Sequence, residues 1–235
     1  MNAMQTFLPP GRVLLVLLLM DAGTGVMHLL FSTDPEMGAF FNLAHEENLP
    51  TWYSSFQFML VACAAGYCYA VEKIIDGKEK SKVGWLVVAF FMSGLAIDET
   101  LQIHEALIDQ IMSRPAGENL RYFFGANKDT DSLLWTVVFA PVMILAGTGL
   151  ILFYYSRLQK DPVLFRFSLL PFFLLALSAG LEYMEAKTLS ALAEESMVRY
   201  GQLTFIEEMA ELFAASLLVW IHYQYATNKL RSNKQ

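Results

Sequence analysis

Residues 83–105 have the sequence VGWLVVAFFMSGLAIDETLQIHE, and this stretch decides how the chain folds. It begins with the apolar run 83–97 and ends with Asp98, Glu99, His104 and Glu105. Its length matches the roughly 20 residues that a helix needs to cross a bilayer. It therefore predicts a membrane helix with ionisable groups at one end, where such groups are costly and commonly functional.

Other stretches share this apolar character, so we expect a polytopic all-α membrane bundle of about six transmembrane helices. Hydrophobic residues make up 55% of the 235 residues and charged residues 17%, and the mean hydropathy is +0.41. The predicted spans are Gly11–Phe31, Trp52–Glu72, Val83–Glu105, Leu133–Tyr155, Leu164–Lys187 and Thr204–Tyr225. The segments between them are too short for a soluble domain, so residues 1–235 are expected to form one integral-membrane domain.

Lys and Arg predict the orientation, because cytoplasmic loops carry an excess of them. One side would hold eleven of the sixteen: Arg12, Lys73, Lys78, Lys80, Lys82, Arg157, Lys160, Arg166, Lys229, Arg231 and Lys234. Both termini are therefore placed in the cytoplasm, and we expect an integral protein of a bacterial inner (plasma) membrane. The loops Ser32–Thr51, Ala106–Ser132 and Thr188–Leu203 would face the periplasm, where they concentrate the net charge of -7. Nothing indicates a nucleic-acid partner.

The acids within the spans converge on the predicted periplasmic side. Odd-numbered spans end there and even-numbered spans begin there, so acids from several helices meet. The predicted metal ligands are His28, Asp98, His104, Glu105, Glu182, Glu185, Glu208 and Glu211, with Asp21, Glu99, Gln102 and Glu207 as supporting or alternative ligands. One shared site explains this grouping better than scattered substitutions do.

Helical phase supports this convergence. Asp98, Gln102 and Glu105 are spaced i, i+4, i+7 and would form one stripe, and Glu182 and Glu185 are three residues apart on one face. Several carboxylates at membrane depth repel one another and need protonation, water or a bound cation. We therefore expect one or two divalent metal ions. Iron or manganese suits a carboxylate-rich site best, with zinc and calcium as the other candidates.

The arrangement resembles the ligand scheme of di-iron carboxylate proteins, which use single Glu residues and Glu-x-x-His pairs from several helices of a bundle. The resemblance lies in the ligand types and in the use of several helices. The pairs here are Glu182-x-x-Glu185 and Glu208-x-x-Glu211, and the predicted spans contain no Glu-x-x-His. The resemblance is thus one of chemistry and not of family membership.

These patterns favour a membrane-embedded metalloenzyme, either a di-iron-like oxidoreductase or a metal-dependent hydrolase. Its substrate would be lipid-like or quinone-like and would enter from the bilayer, and the chain could act as a homo-oligomer. One alternative is a transporter of divalent cations or protons, whose sites lie within the membrane. Another is a non-catalytic assembly or sensor subunit.

Some residues are expected to be structural only. His222 is predicted to lie at the cytoplasmic interface, away from the site. Cys63 and Cys68 are expected to be buried packing thiols. Pro141 and Pro171 are expected to kink the fourth and fifth spans at their middles.

Overall fold

The computed structural model describes residues 8–45, 47–77, 83–124, 134–189 and 194–233, and this part of the chain is helical and has no β-strand. The helices are α1 (Pro10–Phe31), α2 (Gly38–Phe41), α3 (Leu49–Asp76), α4 (Val83–Leu101), α5 (Ile103–Met112), α6 (Pro115–Phe124), α7 (Trp135–Val138), α8 (Ala140–Leu158), α9 (Pro162–Leu189) and α10 (Glu194–Ser232). The prediction of an all-α bundle is confirmed.

Five described helices are long and apolar enough to cross a membrane: α1, α3, α4, α8 and α9. The protein therefore fits an integral membrane protein in contact with the lipid bilayer. The sixth predicted span lies in α10, which is not among the five. This helix is 39 residues long, but it carries Glu207, Glu208, Glu211 and His222.

Helix α10 lies at the centre of the bundle. It packs along α9 and α3 and also against α1, and α4 packs along α3. Ala214, Ala215 and Leu218 of α10 are fully buried in this core, as are Val61 and Ala65 of α3. Since its neighbours cover it, α10 can carry polar groups that a lipid-facing helix could not.

The outside of the bundle is apolar. Large hydrophobic side chains such as Leu19, Phe90, Leu145 and Phe173 are exposed on α1, α4, α8 and α9. Buried polar side chains, by contrast, include Asp21, Gln57 and His222. An apolar exterior around polar interior groups is the pattern that a bilayer requires.

The third predicted span is divided into two helices. Helix α4 ends at Leu101, Gln102 adopts a left-handed conformation with φ of 51°, and α5 begins at Ile103. The carboxyl of Asp98 accepts the backbone N–H of His104 at 3.0 Å and so caps the new helix. The prediction of one helix over Val83–Glu105 is therefore wrong, and Asp98, Gln102 and Glu105 do not form a stripe on one continuous helix.

The fourth predicted span also divides, and Leu133, its first residue, lies outside the described part. A break at Phe139 separates α7 from α8, and Pro141 stands in the first turn of α8. There its missing N–H costs no helical hydrogen bond, so a kink at Pro141 in mid-helix was a wrong prediction. Pro171, as predicted, lies inside α9.

Candidate functional site at the acid end of the bundle

Five glutamates meet where the end of α9 packs against the first half of α10. Electrostatic interactions link Glu182 to Glu211, Glu185 and Glu105, and link Glu207 to Glu182, Glu185 and Glu211. We call Glu105, Glu182, Glu185, Glu207 and Glu211 the acid cluster, and this end of the bundle the acid end. The cluster brings together three segments, α5, α9 and α10.

The acid cluster is largely inaccessible. The side chains of Glu182, Glu185 and Glu207 are only 8%, 2% and 8% exposed, while Glu105 and Glu211 are half-buried. Because burial penalises each charge and the neighbouring carboxylates repel, all five cannot be ionised without a compensating cation.

Neutral donors hold individual carboxyls in place. The indole N–H of Trp135 in α7 donates to Glu182 Oε1 at 2.5 Å, and the hydroxyl of Ser178 donates to Glu211 Oε1 at 2.5 Å. Thr204 hydrogen bonds to Glu185, and Tyr200 interacts with Glu185, Glu207 and Glu105. Hydrogen bonds fix the positions of the carboxyls without cancelling their charge.

Glu185 and Glu207 hydrogen bond to one another. Two carboxyl groups can do so only if one of them carries a proton. The other oxygen of Glu185, Oε1, is buried and has no hydrogen-bond partner among the described residues. An unpaired buried carboxyl oxygen in a group of acids is a ready ligand for a cation.

Asp98 and His104 form a pair beside the acid cluster. Oδ2 of Asp98 lies 2.8 Å from Nδ1 of His104. The His104 ring packs on Trp135, with 4.5 Å between ring centroids. Trp135 therefore contacts His104 with its ring while its N–H reaches Glu182. Asp98 orients the imidazole in the way that carboxylates orient metal-binding histidines.

His28 is placed apart from the acids. Its Nδ1 accepts the backbone N–H of Leu43 at 3.0 Å, the ring hydrogen bonds to the backbone of Phe41, and the ring stacks on Phe205. These contacts fasten the segment after α2 to α1 and α10. We therefore do not include His28 in the site proposed below.

The remaining predicted residues have different surroundings. Glu99 and Glu208 are half-buried, and the backbone of Gln102 forms the turn between α4 and α5. Asp21 is fully buried in a separate network, where it accepts hydrogen bonds from Tyr53, Gln57 and Ser216. Glu207, predicted only as an alternative ligand, lies at the centre of the acid cluster.

Sequence reasoning missed a buried polar network at the opposite end of the bundle. Glu72 is 1% exposed and accepts hydrogen bonds from Trp85 and Tyr225. Its second oxygen lies 3.4 Å from Arg157 Nη1. Helical periodicity could have predicted the burial of Glu72, because Glu72 lies on the same face of α3 as the buried residues Val61, Ala65 and Cys68.

His222 belongs to the same end, and its predicted interfacial position is wrong. It is fully buried, with Nε2 2.7 Å from the Tyr154 hydroxyl and Nδ1 2.6 Å from the Leu218 carbonyl. The prediction for the cysteines is half correct, because Cys68 is buried while Cys63 is exposed. His222 lies four residues after Leu218 on the buried face of α10, which its position in the sequence could have shown.

Across the described residues, no three His, Cys, Asp or Glu side chains are arranged to hold a metal ion. The carboxyls of the acid cluster are instead directed at Trp135, Ser178, Thr204 and one another. A metal bound here would replace some of these partners through side-chain rotation.

Comparison with known proteins identifies the family but not an activity. No curated protein and no solved structure matches the chain. One family model, described as "Domain of unknown function (DUF8692)", matches residues 12–227. The match covers α1 through most of α10, including the acid cluster. The chain therefore belongs to the DUF8692 family.

Proposed function

We propose that the acid cluster binds one or two divalent metal ions and that the protein is a membrane-embedded metalloenzyme. The observation that carries this proposal is the buried, unpaired Oε1 of Glu185 among four other carboxyls. A cation would satisfy that oxygen and neutralise the repulsion at once. Carboxylate-rich sites favour iron or manganese.

The proposed ligands differ from those predicted by sequence. Glu182, Glu185, Glu207 and Glu211 supply carboxylates from α9 and α10, and Glu105 adds one from α5. His104, held by Asp98 and packed on Trp135, would add its second ring nitrogen. Ser178, Thr204 and Trp135 keep the carboxylates in place by hydrogen bonding.

A bound metal would supply Lewis acidity, or oxygen activation if it is iron. The residues around it suit an apolar substrate, because Leu101, Leu107, Met184 and Ile206 expose large hydrophobic side chains on the neighbouring turns. A lipid-like or quinone-like molecule could thus reach the acid end from the bilayer. The scarcity of His favours oxidation over hydrolysis.

The test is the metal content of detergent-purified protein, measured by mass spectrometry beside the double variant Glu182→Gln/Glu207→Gln. We expect one or two equivalents of iron or manganese in the wild type and loss of that metal in the variant. Glu118→Gln, at an exposed position of α6, is the matched control and should keep its metal. A folded wild-type protein without metal after growth in metal-supplemented medium would contradict the proposal.

A second candidate is the transport of divalent cations or protons. The hydrogen bond between Glu185 and Glu207 favours it, because a shared proton between two carboxyls is typical of proton-carrying sites. Reconstituted vesicles distinguish the candidates. Uptake of Mn²⁺ or protons that disappears in Glu185→Gln would support transport, and a metal-loaded protein without uptake would support the enzyme.

A further inference from the structure

A buried carboxyl that belongs neither to the acid cluster nor to the Glu72 network lies halfway through the bundle. Asp21 stands at the middle of α1 and is fully buried. Its partner Ser216 lies midway between Glu207 and Tyr225, residues of α10 that are about 27 Å apart along the axis at 1.5 Å per residue. This separation is close to the thickness of the hydrocarbon core. Asp21 is therefore placed near the membrane centre, apart from the acid cluster.

Three donors surround the carboxyl of Asp21. The Tyr53 hydroxyl and Gln57 Nε2 each lie 2.7 Å from Oδ1, and the Ser216 hydroxyl lies 2.7 Å from Oδ2. Among the described residues, Asp21 forms no ion pair. Burial without a counter-ion favours the neutral acid, whereas three donors favour the carboxylate. The surroundings of Asp21 therefore contain features that favour each protonation state.

The network can satisfy both states without moving the backbone. When Asp21 is ionised, Tyr53 and Ser216 donate to it. When Asp21 is protonated, it can donate to Tyr53, whose hydroxyl then turns to the Leu17 carbonyl at 3.5 Å. Gln57 Nε2 lies 2.7 Å from Asp21 Oδ1 and 3.0 Å and 2.9 Å from the Tyr53 and Ser216 hydroxyls, and its two N–H groups donate to two of these three oxygens at a time.

Two further buried oxygens of α3 belong to the neighbouring residues Ser54 and Gln57. Gln57 Oε1 and Ser54 Oγ are buried and have no hydrogen-bond partner among the described residues. They lie three residues apart on α3 and so share a face. The titratable group that faces Asp21 from α3 is Tyr53, and α10 presents Ser216, which does not titrate.

From this geometry we infer that Asp21, Tyr53, Gln57 and Ser216 form a reversible proton-binding site at the centre of the membrane. Asp21 takes up and releases the proton, and the Tyr53 hydroxyl changes its acceptor in response. The site does not depend on metal at the acid cluster. It gives the protein a proton-coupled step whichever reaction or transport the acid end performs.

The test is infrared difference spectroscopy of the reconstituted full-length protein between acidic and alkaline buffer. We expect the C=O band of a protonated carboxyl in acid, its loss in alkali, and its absence in Asp21→Asn. Asp34→Asn, at an exposed acid in the loop after α1, should keep the band. If no Asp21-dependent band changes with pH, the site does not exchange protons and the inference is overturned.

A second variant keeps the test decisive if Asp21→Asn does not fold. Ser216→Ala retains the carboxyl but removes one hydrogen bond to it. The carboxyl band should therefore shift in frequency in this variant, and a band that does not move cannot belong to Asp21. Unchanged metal content in these variants would separate a failure here from a failure of the metal proposal.

Discussion

At the scale of the residue, Trp135 holds the candidate site together. Its ring packs on His104 and its N–H donates to the buried Glu182. Trp135→Phe keeps an aromatic ring but leaves Glu182 without this donor, so we expect a loss of about 1–3 kcal/mol of stability. Thermal unfolding in detergent measures the loss. Trp52→Phe, at an exposed position of α3, is the control, and equal destabilisation of the two variants would refute the role of the N–H.

Asp34 gives a prediction about pH outside the membrane. Its Oδ1 accepts the backbone N–H groups of Met37 and Glu36 at 2.8 Å and 2.9 Å, and these bonds lower the pKa of Asp34 below its ordinary value. Because the folded-state pKa is lowered, the stabilisation of this turn is present above the unfolded-state pKa and is lost as the pH falls through the folded-state pKa. The amide proton shifts of Glu36 and Met37 should follow that titration. In Asp34→Asn they should not titrate, and a midpoint at or above the ordinary value would contradict the geometry.

Among the helix contacts, Gly25 of α1 lies where this helix packs against α10. A Cβ at this position would lie 2.9 Å from Met209 Sδ, whereas a Cβ at Gly23 would meet nothing within 4 Å. Gly25→Leu should therefore destabilise the protein by about 1–3 kcal/mol through overpacking. Gly23→Leu is the matched control in the same helix. Equal unfolding temperatures for the two variants would show that α1 does not pack on α10 as described.

Most of the elements were predictable from the sequence, while the breaks between them were not. The long helices could be predicted from the lengths of the apolar stretches, because a helix needs about 20 apolar residues to cross a bilayer. The division at Gln102 depends on a left-handed residue and on the Asp98 carboxyl accepting the His104 N–H, and neither follows from periodicity. Helices α9 and α10 are continuous, so their acids keep the spacing on one face that the sequence implies. These acids lie close to one another. The stripe predicted across α4 and α5 was lost because the helix turns.

At the scale of the whole molecule, buried polar groups occupy three levels along α10. Glu207 and Glu211 lie at the acid end, Ser216 joins the Asp21 network at the centre, and His222 and Tyr225 lie toward the opposite end. The acids of the first level were expected to share one site, because they lie at corresponding ends of the predicted spans. At the central level, Asp21 was assigned to the metal site as a supporting ligand, and at the third level His222 was expected at the interface because it lies near the end of the predicted span.

The buried polar network at the end of the bundle opposite the acid end contains an ion pair between Glu72 and Arg157. The variant Arg157→Met would leave the carboxyl of Glu72 without its counter-charge. We therefore expect the free energy of unfolding to fall by about 3–5 kcal/mol. Glu72→Gln/Arg157→Met should recover much of that loss, because it leaves no charge unpaired. Chemical unfolding of the four proteins in a double-mutant cycle measures the coupling. Additive effects would mean that the pair does not interact.

Titration of Mn²⁺ into the purified protein tests whether the acid cluster binds a divalent cation. Electron paramagnetic resonance counts the ions that leave solution, because bound and free Mn²⁺ differ in their spectra. We predict one or two saturable sites in the wild type and in Glu118→Gln, and their loss in Glu185→Gln. Saturable binding that survives in Glu185→Gln, or a folded wild type that binds no Mn²⁺, Fe²⁺ or Zn²⁺, would contradict the account.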